Sequence, residues 1–128
     1  MKSKKPIIFS VGHSNHPIDI FISRLKKHKI SILVDVRTTP LSRFCPHFNK
    51  NALQQALNRE NILYLWKGRN LGGRNINIDY DKTIIEVSEM AKGKRTCILC
   101  SEKDYKKCHR YLTLTPSLEK QGFFVKHI

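Results

Sequence analysis

The chain has 128 residues, enough for one α/β domain (residues 1–128) to bury most of its apolar surface without disulfides or metal. Hydrophobic residues make up 40%, with no uninterrupted apolar run long enough to span a bilayer, so no membrane partner is expected. A formal charge of +14, from 24 Lys and Arg against 10 Asp and Glu, exceeds what solubility requires and points to an anionic partner, nucleic acid or a phosphorylated small molecule.

Residues 7–11, an apolar and β-branched run, predict a first strand ended by Gly12-His13-Ser14-Asn15. Behind the basic Met1-Lys2-Ser3-Lys4-Lys5-Pro6 this run is too short for a signal h-region and has no cleavage site, so a cytoplasmic protein is expected. Pro17 suits the first position of a helix with Asn15 or His16 as cap, and Ile18, Phe21, Ile22 and Leu25 recur at helical spacing. Residues 30–36 predict a second strand with Asp35 and Arg37 at its exit. Two prolines, Pro40 and Pro46, argue against a regular element over residues 38–48. Asn49 is placed to cap a second helix that turns Leu53, Ala56 and Leu57 inward, and residues 62–66 predict a third strand.

Residues 67–74 form a glycine-rich, basic loop, and a third helix is expected over 79–91 with Tyr80, Ile84, Val87 and Ala91 on one face. Lys92-Gly93-Lys94 is a helix stop, and residues 96–100, T-C-I-L-C, predict a buried strand. Cys100, Ser101 and Glu102 fall at its carboxyl end, and Cys108-His109-Arg110 follows within about two helical turns. Thr115 and Pro116 are expected to cap and begin a further short helix stopped by Gly122, and residues 123–128 predict a last strand.

Strands alternating with helices predict an α/β fold: a single compact domain, mainly a parallel sheet of about five strands with helices on both faces. Right-handed crossovers would then deliver the polar loops to one edge, where open α/β sheets bind ligands. His13, Asp35, Arg37, Ser42, Arg43, Gly72, Gly73, Arg74, Cys100 and Glu102 are expected to share that cleft.

Arginine presents paired planar donors to phosphate, and glycine backbone lets N–H groups approach an anion. Arg37, Arg43 and Arg74 with Gly72 and Gly73 therefore form a candidate anion cradle, to which Ser14, Ser42, His109 and Arg110 add donors. As loop residues, Arg37 and Arg43 are expected to contribute little to the core, so alanine at either should leave the fold intact. No G-x-x-x-x-G-K-[ST] is present, which excludes a P-loop. Glu102, Asp35 and His13 are candidates for proton transfer, and Cys100 is a candidate nucleophile if its thiol is activated. Glu102 beside it would raise rather than lower the thiol pKa, which favours the carboxylate. Asp35 can equally serve to orient Arg37 or Arg43. Cys97-x-x-Cys100 with Cys108-His109 has the look of a zinc set, but residues three apart on a strand point to opposite faces, so no metal or other cofactor is expected. The leading expectation is an enzyme acting on nucleic acid or a nucleotide, with a nucleic-acid-binding module without catalysis and a thiol-dependent transferase using Cys100 as alternatives.

The series Gly12-His13-Ser14-Asn15, Asp35-Val36-Arg37-x-x-Pro40-x-Ser42-Arg43 with Pro46-x-Phe48, Leu71-Gly72-Gly73-Arg74, Cys100-x-Glu102 with Cys108-His109-Arg110, and Gly122 with His127-Ile128 resembles that of domain-of-unknown-function family 488. The resemblance covers nearly the whole chain in order. It implies a compact α/β domain of bacterial and archaeal type whose motif residues gather at one site, and it carries no catalytic roles. Ser101 departs from the small residue common there, and Lys29 from a loop glycine. The rhodanese-like class is a weaker resemblance, with its Asp-x-Arg at a strand end and a later cysteine; nine residues between Cys100 and Arg110, and Glu102 next to the thiol, weaken a thiol-transfer role.

Overall fold

In a computed structural model, residues 5–37, 40, 41, 45–71, 78–100 and 109–128 are described, residues 109–112 by their backbone alone. Five short apolar segments become strands: β1 (Ile7–Gly12), β2 (Ile32–Asp35), β3 (Leu63–Trp66), β4 (Thr96–Cys100) and β5 (Phe124–His127). They lie in the order β3-β2-β4-β1-β5, and every neighbouring pair is parallel. β4 is inserted between β2 and β1, with Cys97 level with both Leu33 and Phe9. All five of its residues are buried, as a central parallel strand covered on both faces requires.

Side chains alternate across this sheet and create two cores. Phe9, Val11, Leu33, Cys97 and Leu99 pack with Phe21 and Leu25 of α1 (Ile18–Lys27) and Leu53 and Leu57 of α2 (Lys50–Arg59). On the other face Ile8, Val34, Ile98 and Val125 meet Leu71 of α3 (Gly68–Leu71), Ile84 and Val87 of α4 (Tyr80–Gly93), and Leu114 and Leu118 of α5 (His109–Lys120). Each aliphatic side chain fully buried in this way is worth about 1.5–3 kcal/mol. The expected parallel α/β sheet with helices on both faces is therefore the observed one. Cys97 and Cys100 sit in opposite cores, so their thiols do not converge.

Local differences from expectation have physical causes. Pro17 is the N-cap of α1 rather than its first helical residue: its backbone is extended (ψ 148°) and its carbonyl accepts from Phe21 N. Within the stretch expected to be irregular, Pro46–Phe48 forms a 3₁₀ turn whose buried Phe48 anchors it. Gly68–Leu71, expected as loop, is a single helical turn that buries Leu71. Pro116 does not begin a helix but lies inside α5, where its missing N–H removes one ladder bond. Leu114 and Leu118 on either side of it are both buried, so tertiary packing overrides the local cost.

The stop at Gly122 follows the sequence expectation. Its N–H meets the Glu119 carbonyl at 2.9 Å and Phe123 N–H meets that of Leu118 at 3.2 Å, the paired bonds of a Schellman ending, with Gly122 at φ +93°. A Cβ at Gly122 would touch nothing within 4 Å, and the same is true at Gly93, where φ is not positive. Alanine at Gly122 should thus cost about 1–2 kcal/mol by conformation alone, whereas Gly93→Ala should stabilise by about 0.4–1 kcal/mol. Urea unfolding of the two variants should shift the midpoint in opposite directions, and equal shifts would contradict the backbone argument.

Candidate functional site

The ladders run on past the ends of the strands. His13 N–H reaches the Cys100 carbonyl (3.0 Å), Val36 N–H that of Leu99 (3.1 Å) and Lys67 N–H that of Asp35 (2.8 Å). The exits of β1, β2 and β3 are therefore held level around the end of β4. The chain leaves β1 and β2 towards α1 and α2 on one face, and leaves β3 and β4 towards α3, α4 and α5 on the other. In open α/β sheets, such divergence between neighbouring strands is where ligand crevices form.

Asp35 ends β2 with no exposed surface. Oδ1 accepts from Arg37 N (3.0 Å) and Nε (2.9 Å), and Oδ2 from Arg37 Nη2 (2.7 Å) and Tyr64 Oη (2.5 Å). Four donors fill the four lone-pair sites of a carboxylate. Asp35 is thereby committed to its protein partners, and it holds Arg37 through a two-point pair. Burial, with the Asp35 charge beside it, pushes the Tyr64 phenol up, so it stays a proton donor. The Arg37 carbonyl accepts from Trp66 Nε1 at 2.7 Å. Gly68 lies so close that a Cβ would stand 2.0 Å from that carbonyl and 2.5 Å from the indole nitrogen. Any side chain at position 68 would drive the backbone apart there.

Arg37 is only 2% exposed, which overturns the expectation that its removal would leave the fold intact. Truncating it would strand a buried carboxylate, a change that typically costs 3–5 kcal/mol. Its place in a loop concealed this, because the ion pair closes within two residues of the strand end.

His13 is likewise buried and stacks on Phe48, ring centroids 4.5 Å apart. Its Nδ1 donates to the Ser14 carbonyl (2.6 Å), which fixes the tautomer and leaves Nε2 with the lone pair. Burial pushes its pKa down to about 4; the bond to Ser14 works against this, Arg37 adds to it and Asp35 opposes it. Ser14 holds the left-handed φ of 47°, costing on the order of 1 kcal/mol for a residue with a Cβ. The surroundings enforce that turn: His16 N–H bonds the His13 carbonyl (3.1 Å), His47 Nε2 donates to that of His16 (2.9 Å), and Cys45 Sγ approaches that of Ser14 (3.5 Å).

Of the residues expected in the cleft, His13, Ser14, Asp35 and Arg37 are brought together at this edge. Cys100 also ends its strand there, but its side chain is fully buried in the core facing α4 and α5. Ser42, Arg43, Gly72, Gly73, Arg74 and Glu102 lie outside the described residues, and so do the side chains of His109 and Arg110 in the first turn of α5. Among the described residues no three His, Cys, Asp or Glu side chains converge as a metal site, and no helix is long and apolar enough to cross a membrane. Tyr64, Trp66, Gly68 and His47 support the site without having been singled out for it, and Phe48, quoted in the motif series, stacks on His13 there. Tyr64 and Trp66 stand in an apolar strand sequence, and only the β2–β3 pairing, Val34 to Leu65 and Asp35 to Trp66, brings their polar atoms to Asp35 and Arg37.

A His whose folded pKa lies below its unfolded value near 6.5 binds its proton less readily when folded. Its contribution is therefore present above pH 6.5 and lost as pH falls towards 4. His13 should give a stability loss on the order of 3 kcal/mol across that window. Urea unfolding at pH 7 and pH 4.5 should show this slope for the wild type and a flatter one for His13→Gln; parallel slopes would refute the assignment.

The family model described as a domain of unknown function, DUF488, matches residues 17–83, just over half of the chain. None of the curated proteins and none of the solved structures matches it. The matched segment begins at the cap of α1 and contains Asp35, Arg37, Phe48, Tyr64, Trp66 and Gly68, the residues gathered around the end of β2. On that match the chain belongs to the DUF488 family.

Proposed function

We propose that the carboxyl edge of the sheet is an active site that holds a phosphorylated ligand, a nucleotide or a nucleic acid strand, through Arg37 and moves a proton through His13. The observation that carries this is a buried imidazole, its Nδ1 committed to the Ser14 carbonyl, at the same strand edge as a guanidinium that a saturated carboxylate keeps in place. Asp35 takes two of the five guanidinium N–H groups, and the remaining ones are the proposed donors to phosphate oxygens. Because the ion pair already orients Arg37, little further ordering is needed when an anion arrives. With Nδ1–H given to Ser14, His13 Nε2 carries the lone pair that would accept a proton. Asp35 acts in this scheme as a positioning residue. Glu102 is the proposed partner acid, with Arg43, Arg74 and the Gly72-Gly73 backbone as further phosphate ligands.

A neighbouring cleft of about 580 Å³ supports a nucleotide over a bare anion. Trp66, Pro40 and Pro46 give it flat apolar walls, and Lys50 and Asn49 contribute polar ones. Lys50 Nζ stands 4.6 Å from the centre of the indole, so this aromatic surface is already cationic in character. Trp66 is tied to Arg37 through its indole N–H, which would set a base and a phosphate at a fixed spacing.

Binding of nucleotides, single-stranded DNA, duplex DNA and RNA at two salt concentrations, with each mixture analysed by mass spectrometry, tests the proposal. Wild type should bind at least one class in a salt-dependent manner and convert it. His13→Gln should bind but turn over roughly 100-fold or more slowly, and Arg37→Lys, which loses the two-point geometry, should weaken binding by about 1.5–3 kcal/mol. Binding without conversion of any substrate would leave a non-catalytic module, and no binding at low salt would sink both.

Thiol transfer through Cys100 requires a reachable thiolate. Cys97 and Cys100 are both fully buried, and burial pushes the Cys97 thiol up. Each should therefore be alkylated at neutral pH only as the protein unfolds, as peptide mapping of partially labelled protein can resolve. Rapid labelling of Cys100 with loss of activity would restore the thiol mechanism.

A further inference from the structure

Away from the carboxyl edge, the end of α1 and the edge strand β5 enclose a cleft of about 400 Å³ lined by Ile20, Arg24, Lys27, His28, Lys126 and His127. β5 pairs with Ile7 to Ser10 of β1, which sets Lys126 and His127 level with Phe9 and Ser10, short of the β1 exit at Gly12. Arg95 approaches the same place: its Nε donates to the His28 carbonyl (2.7 Å) and its guanidinium stands 4.9 Å over the Phe9 ring. Phe9 is level with Lys126 and 5.6 Å from the His28 ring.

We infer that this cleft is a second contact surface for a polyanion and that it takes the sugar-phosphate backbone of a nucleic acid. It stands whether or not the carboxyl edge carries chemistry, because none of its residues belongs to that site.

Lys26, at the same helix end, is paired with Glu60 at 2.7 Å, yet among the described residues Arg24, Lys27, Arg95 and Lys126 have no acidic partner. The His28 pKa is lowered by burial and then by Lys126, Lys27, Arg95 and Arg24 in turn, so the four cations lie close enough to repel one charge between them. Cations at a helix C-terminus stabilise its dipole, and a lysine on an edge strand discourages strand pairing. Those effects explain α1 and Lys126 separately. Neither explains why α1 and β5 both direct like charge into one cleft, with Arg95 anchored to the His28 carbonyl beside it, an arrangement that an incoming polyanion relieves.

The character of the donors selects the partner. Backbone amides at the end of α1 are already used: His28 N–H bonds Arg24, Lys29 N–H bonds Lys26 and Ile30 N–H bonds Leu25. No amide cradle remains there to define a single phosphate, and the helix end itself is electronegative. Recognition rests on long, partly exposed cationic side chains spread along the cleft, the mode by which phosphodiester chains are held without sequence preference.

The test compares two variants of equal charge. Arg24→Gln/Lys27→Gln/Lys126→Gln empties the cleft, and Lys82→Gln/Lys92→Gln/Lys120→Gln removes the same charge from exposed positions on α4 and α5. Fluorescence anisotropy with a labelled 20-nucleotide RNA and a 20-base-pair DNA is followed from 50 to 300 mM salt, with thermal melts confirming that both fold. The cleft variant should lose at least tenfold in affinity at 50 mM salt and flatten the log–log salt slope by about two to three, while the control stays near wild type. Equal losses in both variants would reduce the effect to net charge and overturn the inference. So would an unchanged slope in the cleft variant, or wild-type binding to phosphatidylserine vesicles but to neither nucleic acid. Failure of the carboxyl-edge proposal looks different, because it would appear as unconverted substrate with the cleft-dependent slope intact.

Discussion

A carboxylate without solvent contact must have its charge met inside the protein, and the Asp35 side chain meets it with Arg37 and Tyr64. Much of the carboxyl edge follows from that need. The bond from Tyr64 couples β3 to the end of β2. The two-point pair turns Arg37 back over its own strand, and the Arg37 carbonyl then becomes the acceptor for Trp66. Gly68 completes the sequence of constraints, since only a residue without Cβ lets α3 begin against that carbonyl. Interior ion pairs often contribute little net stability, but losing one partner is costly. Here the pair fixes a geometry, and its worth is better measured in orientation than in free energy.

Much of the fold was legible. Phe21 and Leu25 at helical spacing, and Ile84, Val87 and Ala91 along α4, are local patterns whose burial follows from period alone. The alternation in Thr96–Cys100 correctly separated Cys97 from Cys100. Strand order was not legible, because pairing β4 with both β1 and β2 depends on contacts some sixty to ninety residues apart in the chain. Pro116 is a misleading signal because proline's usual place is at helix starts, whereas the core positions Leu114 and Leu118 on either side of it keep α5 continuous.

At the site, Asp35 and Arg37 were legible as a pair, since residues two apart at a strand end share a face. That they are buried was not, because a charged residue beside a proline-containing loop has every sequence mark of exposure. Tyr64 and Trp66 passed as apolar strand residues, their single polar atoms carrying no periodicity. The stacking of His13 on Phe48 joins positions thirty-five apart. It is this contact, with its exclusion of water, that sets the imidazole apart from an ordinary surface histidine.

The sheet order also bears on biosynthesis. β1 is the first strand to leave the ribosome, yet its strand partners are β4 and β5, the last two to be made. Through most of translation it remains an apolar segment with both edges unpaired, while β2 and β3 can already join as a local unit. Closure therefore waits for β4 to slot between the two halves, a late, long-range step of the kind that slows folding and exposes strand edges to other chains. The lysines of Met1-Lys2-Ser3-Lys4-Lys5-Pro6 stand just ahead of β1, and like charge flanking an apolar strand works against pairing between unfolded copies.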